Sequence, residues 1–135
     1  MDDNVKITDN SGEILNEIEQ KTAAALEAIG LTAETYAKLT APVGETGRLR
    51  NSISHTVKGD AVYIGSNLHY FPWHEWGTGI FAEDGSGRKS PWAFQDSKGK
   101  WHNTRGVKPK HMLKNAALNH TEEYRQIIEN IMKKD

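Results

Sequence analysis

Side chains able to act as acids, bases or metal ligands gather around one stretch of this chain. Tyr70 to Gly79 reads Tyr-Phe-Pro-Trp-His-Glu-Trp-Gly-Thr-Gly; His69 precedes it and His102 follows at a distance. Imidazoles and a carboxylate together can bind zinc or serve a metal-assisted hydrolase. Helical zinc motifs place two histidines at i and i+4, on one face. Here His69 and His74 are five positions apart, and Thr78 stands four after His74. The favoured reading is histidine packed beside Trp73 and Trp76 or facing solvent, with no metal and no cofactor. Glu75 is a carboxylate wedged among aromatics, which is expected to be paired, and Arg48 or Arg50 is the natural partner.

Other chemical motifs fail on spacing. Gly85-Ser-Gly-Arg-Lys-Ser lacks the Gly-Lys-Ser/Thr order of a phosphate loop, and no apolar strand leads into it. The chain has no Gly-x-Ser-x-Gly elbow and no cysteine, which removes disulfides, Cys-ligated zinc and thiol nucleophiles. Asn119-His-Thr121 matches a glycosylation sequon by chance, inside a predicted helix. An enzyme is not expected.

The elements that must hold the stretch come next. Five of its first seven residues are aromatic or histidine, in a chain only 8% Phe, Trp and Tyr. Large aromatics bury roughly 150–250 Å² each, so the stretch is expected to anchor most of the core. Pro72 suits the start of a short helical turn, and Gly77 and Gly79 stop it and lead toward a strand. Upstream, Ile14, Leu15, Ile18, Ala25, Leu26, Ile29, Ala33 and Ala37 recur at helical spacing and predict a helix over 12–40. Asn10 and Glu13 form a candidate capping box. Glu17–Lys21 and Glu34–Lys38 are favourably ordered pairs four apart. Gly30 can mark a bend, and Pro42 ends the helix. Thr46 is a candidate cap for one turn through Ser52, with Leu49 and Ile53 inward and Arg48 and Arg50 outward. Ile53–Val57 and Ala61–Gly65 predict a hairpin around Lys58-Gly59-Asp60. Residues 82–90 read as loop. Pro91–Gln95 and Trp101–Thr104 predict a second hairpin, and Pro109 opens a last helix running past Ile131.

The fold class expected is α+β: two long helices packed on a small antiparallel sheet of two hairpins, with a short helical turn at the aromatic hub. Residues 1–9 read as a flexible lead-in, and 10–135 as a single domain. Only 36% of the 135 residues are hydrophobic and mean hydropathy is −0.70, which implies a modest core, with either a large share of loop or some stability drawn from neighbouring subunits. No apolar run approaches the roughly 18–20 residues of a membrane span. The acidic, polar start is unlike a signal peptide, so synthesis in the cytoplasm is expected.

Net charge is −1, but unevenly spread. Residues 1–45 hold nine acids and three bases, whereas 46–115 hold five acids and eleven bases. From Ser97 to Lys114 there are six Lys or Arg and no acid. Such asymmetry suits an acidic partner or complementary packing between copies. One reading sets this basic run, with Trp101, against nucleic acid. A second makes it a solvated hairpin whose lysines protect sheet edges. A third sets it against the acidic first helix of an adjacent copy.

Taken together, Ala41–Ile53 (Ala-Pro-Val-Gly-Glu-Thr-Gly-Arg-Leu-Arg-Asn-Ser-Ile), Val62–Asn67 (Val-Tyr-Ile-Gly-Ser-Asn), Tyr70, Glu75–Gly79 and Lys108–Ala116 (Lys-Pro-Lys-His-Met-Leu-Lys-Asn-Ala) resemble the tail-completion and head–tail joining family of tailed bacteriophages. The resemblance spans about Ile14 to Ile131, with Pro91–Thr104 as a variant insertion. It implies a non-enzymatic virion assembly protein of a phage or prophage, acting at the neck as a homo-oligomeric ring beside other neck and tail proteins. It would assemble in the bacterial host cytoplasm and reside in the virion neck or tail. The family's motif falls on Pro42, Thr46, Gly47, Leu49, Arg50, Ser52, Tyr70, Glu75, Gly77, Thr78 and Gly79, with Trp73 and Trp76 between them. Gly44 and His111-Met112-Leu113 depart from the family's usual residues. The alternative is a small nucleic-acid-binding module using the basic 88–114 region, through Arg88, Lys89, Lys98, Lys100, Arg105, Lys108 and Lys110. A metal-assisted hydrolase on His69, His74, Glu75 and His102 is the third class.

Overall fold

The structure, a computed structural model, describes residues 8–44, 47–96 and 98–134. Helix α1 runs unbroken from Ser11 to Thr40. Its start differs from expectation: Asn10 sits at the cap position without a side-chain bond, and Asp9 Oδ1 instead accepts from Ser11 N at 2.9 Å. Glu17–Lys21 and Glu34–Lys38 pair at 3.4 and 3.1 Å along its length. The buried stripe is Ala25, Ile29, Gly30, Ala33 and Ala37, a face of small residues that lets other elements come close. Gly30 is a place of close approach. A Cβ there would lie 2.5 Å from His55 Cδ2 and 2.7 Å from Val62 Cγ2.

Those two residues belong to the first hairpin, β1 (Ile53–Lys58) and β2 (Ala61–Ser66), paired antiparallel from Ile53↔Ser66 to Lys58↔Ala61. The two-residue turn at Gly59-Asp60 uses a positive φ at Gly59. On β1, Ile53, His55 and Val57 face α1 alternately with exposed Ser54, Thr56 and Lys58. Before it comes one helical turn, α2 (Arg48–Asn51), with Leu49 buried and Arg48 and Arg50 outward, as the sequence predicts. The expected Thr46 cap lies outside the described residues. Ser52 Oγ donates to Leu49 O at 2.6 Å and lies 2.6 Å from Ser66 Oγ, tying the turn to the hairpin's end.

Helix α3 covers Phe71–Trp76, with Pro72 in its first turn. It does not lead into a strand; a 3-10 turn, Gly79–Phe81, follows. The second hairpin, β3 (Trp92–Gln95) and β4 (Trp101–Thr104), pairs Trp92↔Thr104 through Gln95↔Trp101. The two hairpins form separate two-stranded sheets, so the α+β class is as expected but with two small sheets.

The last helix starts later than Pro109 and is broken. Segment α4 spans Met112–Leu118 and α5 spans Thr121–Met132, with His120 between them at φ −129°. The break has a packing cause. His120 stacks on Tyr36 of α1 at 3.5 Å between ring centroids, and Tyr124 Oη donates to Ala116 O across the joint at 2.5 Å. Tyr36 Oη in turn donates to Glu123 Oε2 at 2.5 Å.

The core is Ala37, Ala41, Leu49, Ile53, Phe71, Met112 and Ala116. This corrects the expectation for the aromatic stretch. Phe71, Glu75 and Gly79 are the residues it buries, whereas Trp73 and Trp76 are 53% and 50% exposed. Residues 71 and 75 are one helical turn apart and share the inward face. Trp73 and Trp76, three apart, share the outward one. The small residues of α1 leave room for one large aromatic beside them, and Phe71 takes it.

Candidate functional site

Glu75 is 3% exposed, and its carboxylate is held by main-chain amides where the sequence led one to expect a guanidinium. Its Oε1 accepts from Leu113 N at 2.8 Å and Oε2 from Lys114 N at 3.0 Å. These are orphan amides of the first turn of α4, whose own cap residue, His111, makes no side-chain capping bond. A residue 38 positions upstream therefore caps this helix. The physical logic is that of any N-cap: an oxygen satisfies the free N–H groups and negative charge meets the helix's positive end.

Around that bond two chain segments are laced main chain to main chain. Lys110 N donates to His74 O at 2.7 Å, Thr78 N to Val107 O at 2.9 Å, and Ile80 N to Arg105 O at 3.0 Å. Val107 N donates to Thr78 Oγ1 at 2.8 Å. The glycines explain themselves here. Gly79 has φ +62°, and a Cβ on it would lie 2.0 Å from Arg105 O; one on Gly77 would lie 2.5 Å from Phe81 O. The Glu-Trp-Gly-Thr-Gly segment is a clasp in which glutamate, threonine and both glycines all engage distant main chain.

Trp73 and Trp76 stand outside the clasp as walls of two hollows. The first, about 600 Å³, runs from Pro72, Trp73 and Trp76 across to Glu83, Asp84 and Ser86. The second, about 510 Å³, is lined by Trp73, His74, Thr78, Trp92, Phe94, Thr104 and Val107 and is almost wholly apolar. Trp92 and Phe94 alternate on β3 and so share one face; that i, i+2 spacing was readable in the sequence, though its opposite wall was not. His102 stacks on Phe94 at 5.3 Å. A third, shallow hollow brings together Pro42, Leu49, Tyr70 and His74, the two motif segments far apart in sequence.

The histidines do not converge. His102 Nε2 lies 2.7 Å from Asp96 Oδ2, at the turn of the second hairpin. His111, at φ +49°, pairs with Glu83 and meets Trp76 edge-on. His69 meets Tyr70 and Trp73 edge-on. Burial, aided by Lys110, pushes the His74 imidazole below its ordinary pKa. Among the described residues no group of three His, Asp or Glu is placed to hold a metal ion. No helix among them is long and apolar enough to cross a membrane.

One charged cluster escaped sequence reasoning. His55 of β1 lies between two carboxylates two turns apart on α1, Nε2 to Glu27 Oε1 at 2.7 Å and Nδ1 to Glu34 Oε1 at 3.0 Å. Hydrogen bonds to Glu27 and then Glu34 raise the imidazole's pKa. Burial works to raise Glu34, but bonds from His55 and Lys38 outweigh it and hold that carboxyl low. The cluster pins the hairpin to the helix.

The basic residues singled out in the sequence, Arg88, Lys89, Lys98, Lys100, Arg105, Lys108 and Lys110, are all exposed on the 88–110 region. Arg88 sits over the Trp92 ring at 5.8 Å, and Lys108 over Phe81 at 5.6 Å. Comparison with protein-family models, curated proteins and solved structures finds no match for this chain.

Proposed function

We propose that this chain is a non-enzymatic virion assembly protein of a tailed phage or prophage, joining head to tail at the neck as an oligomer. The observation that carries the reading is the clasp. Of the stretches on which the family resemblance rests, 75–79 bonds to 108–116 through Glu75, and 41–53 shares the core with 108–116. The residues of 75–79 are engaged in holding main chain: Glu75 on the α4 amides, Thr78 on Val107 N, Gly79 against Arg105 O. A motif built for shape suits a joining part. The exposed indoles and apolar hollows beside it offer surfaces to neighbours.

The test is genetic. Deleting the gene from an inducible lysogen should yield filled heads and separate tails by electron microscopy, with joining restored from a plasmid. Normal virions from the deletion strain would refute the role. The nucleic-acid alternative draws on exposed Trp101 beside Lys98 and Lys100. It requires a DNA mobility shift at near-physiological salt that is lost with Lys98→Gln and Lys100→Gln.

A further inference from the structure

We infer that the apolar cleft between α3 and the second hairpin receives the N-terminal half of α1 from a second copy of this chain. The inference deepens the oligomer part of the proposed function and rests on it. Two unpartnered surfaces of one molecule match each other. From Asp9 to Gln20 every residue is exposed, and this stretch holds four acids and no base. Ile14, Leu15 and Ile18 stand out from it as an exposed aliphatic ridge at helical spacing. Among the described residues this helix end finds no cover.

The cleft has the opposite character. Trp73, Trp92, Phe94 and Val107 give it apolar walls. Arg88 lies over Trp92, and exposed Arg105, Lys108 and Lys110 flank its lining residues in sequence. His74 and Thr78 complete the lining from the α3 side. An aliphatic ridge among carboxylates fits an aromatic trough with Arg88 over one of its rings. A nucleic acid fits less well, because the trough itself is apolar and the ridge on α1 would stay uncovered. Ridge and cleft are different surfaces, so each junction leaves one of each open, and copies add head to tail until a ring closes.

The experiment is sedimentation velocity on the full chain across two decades of concentration. Wild type is expected to form species larger than a monomer at low salt and to weaken at about 1 M salt, where the Debye length is about 3 Å. The ridge variant Ile14→Lys with Ile18→Lys should lower self-affinity by about thirtyfold or more. So should the cleft variant Trp92→Glu, or Phe94→Glu if the first fails to fold by circular dichroism. Mixing a ridge variant with a cleft variant is the deciding arm. One junction remains possible, so a dimer and nothing larger is expected. A wild-type monomer at every concentration and low salt, undiminished association of either variant, or a mixture with no dimer would overturn the inference. So would saturable binding of an oligonucleotide that the cleft variant abolishes and the ridge variant leaves intact. Intact self-association with normal virions in the deletion strain would instead remove the neck role and leave the junction standing.

Discussion

Replacing Glu75 by alanine removes the acceptor for two amides at once. Both bonds are short, 2.8 Å to Leu113 N and 3.0 Å to Lys114 N, and the side chain is 3% exposed, so water cannot readily take its place. Loss of a helix cap costs about 0.5–2 kcal/mol. Leaving a buried donor without a partner costs about 1–3 kcal/mol. These overlap, since the cap is those bonds, and two donors at about 1–3 kcal/mol each put the expected loss for Glu75→Ala at about 2–6 kcal/mol. Glu75→Gln keeps one acceptor oxygen but sets an amide NH2 against the second donor and removes the charge at the helix end. Its expected loss is about 1–2 kcal/mol. Urea unfolding followed by circular dichroism reads both, as lower midpoints with an unchanged slope. An arginine-paired Glu75 makes a different prediction, a coupling with Arg50→Gln in a double-mutant cycle; the clasp requires additivity within about 0.5 kcal/mol. A loss under about 1 kcal/mol for alanine, or glutamine as damaging as alanine, would refute the capping account.

Two further outcomes follow from other contacts. Gly79→Ala places a methyl group 2.0 Å from Arg105 O at φ +62° and should destabilise by about 3 kcal/mol or more; a thermal midpoint equal to wild type would count against the close approach. For His55 the sign is fixed by a raised folded-state pKa. Its contribution is complete below its ordinary value of about 6.5 and is lost as pH rises through the raised one. The lowered pKa of His74 acts the other way, its contribution being lost as pH falls through that lowered value, so the comparison must be with His55→Gln. From about pH 6.5 upward, through the raised pKa of His55, the stability advantage of wild type over the variant should shrink with rising pH. A constant advantage would show that the imidazolium does not bridge α1 and β1.

Much of this architecture is written in local pattern. The 3.6-residue recurrence of Ile14 to Ala37 gives α1, and the alternation around Gly59-Asp60 gives the first hairpin to within a residue. What is not local was read less well. Glu75 was legible as a buried carboxylate needing a partner, yet a partner that is main chain carries no side-chain signal. The run of aromatics pointed to a core, but the core's large side chain had to be chosen by the small residues of α1, a tertiary fact. The helix break at His120 depends on Tyr36, 84 positions away, and no glycine or proline announces it. His55 with Glu27 and Glu34 was hidden for the same reason: its three residues sit on two elements whose packing only the fold decides.

The indoles face outward because the backbone around them is held by other means. The clasp binds 74–80 to 105–111 through backbone groups, and α4 is held at its first turn by Glu75, so this part of the molecule does not draw on tryptophan burial for its shape. Trp73 and Trp76 are thereby released from core duty and stand on a rigid base, where aromatic side chains lose little conformational freedom on meeting a partner. Here the carboxylate is enclosed and the rings are open, so the face this part of the molecule offers to solvent is aromatic and its charge is spent inside.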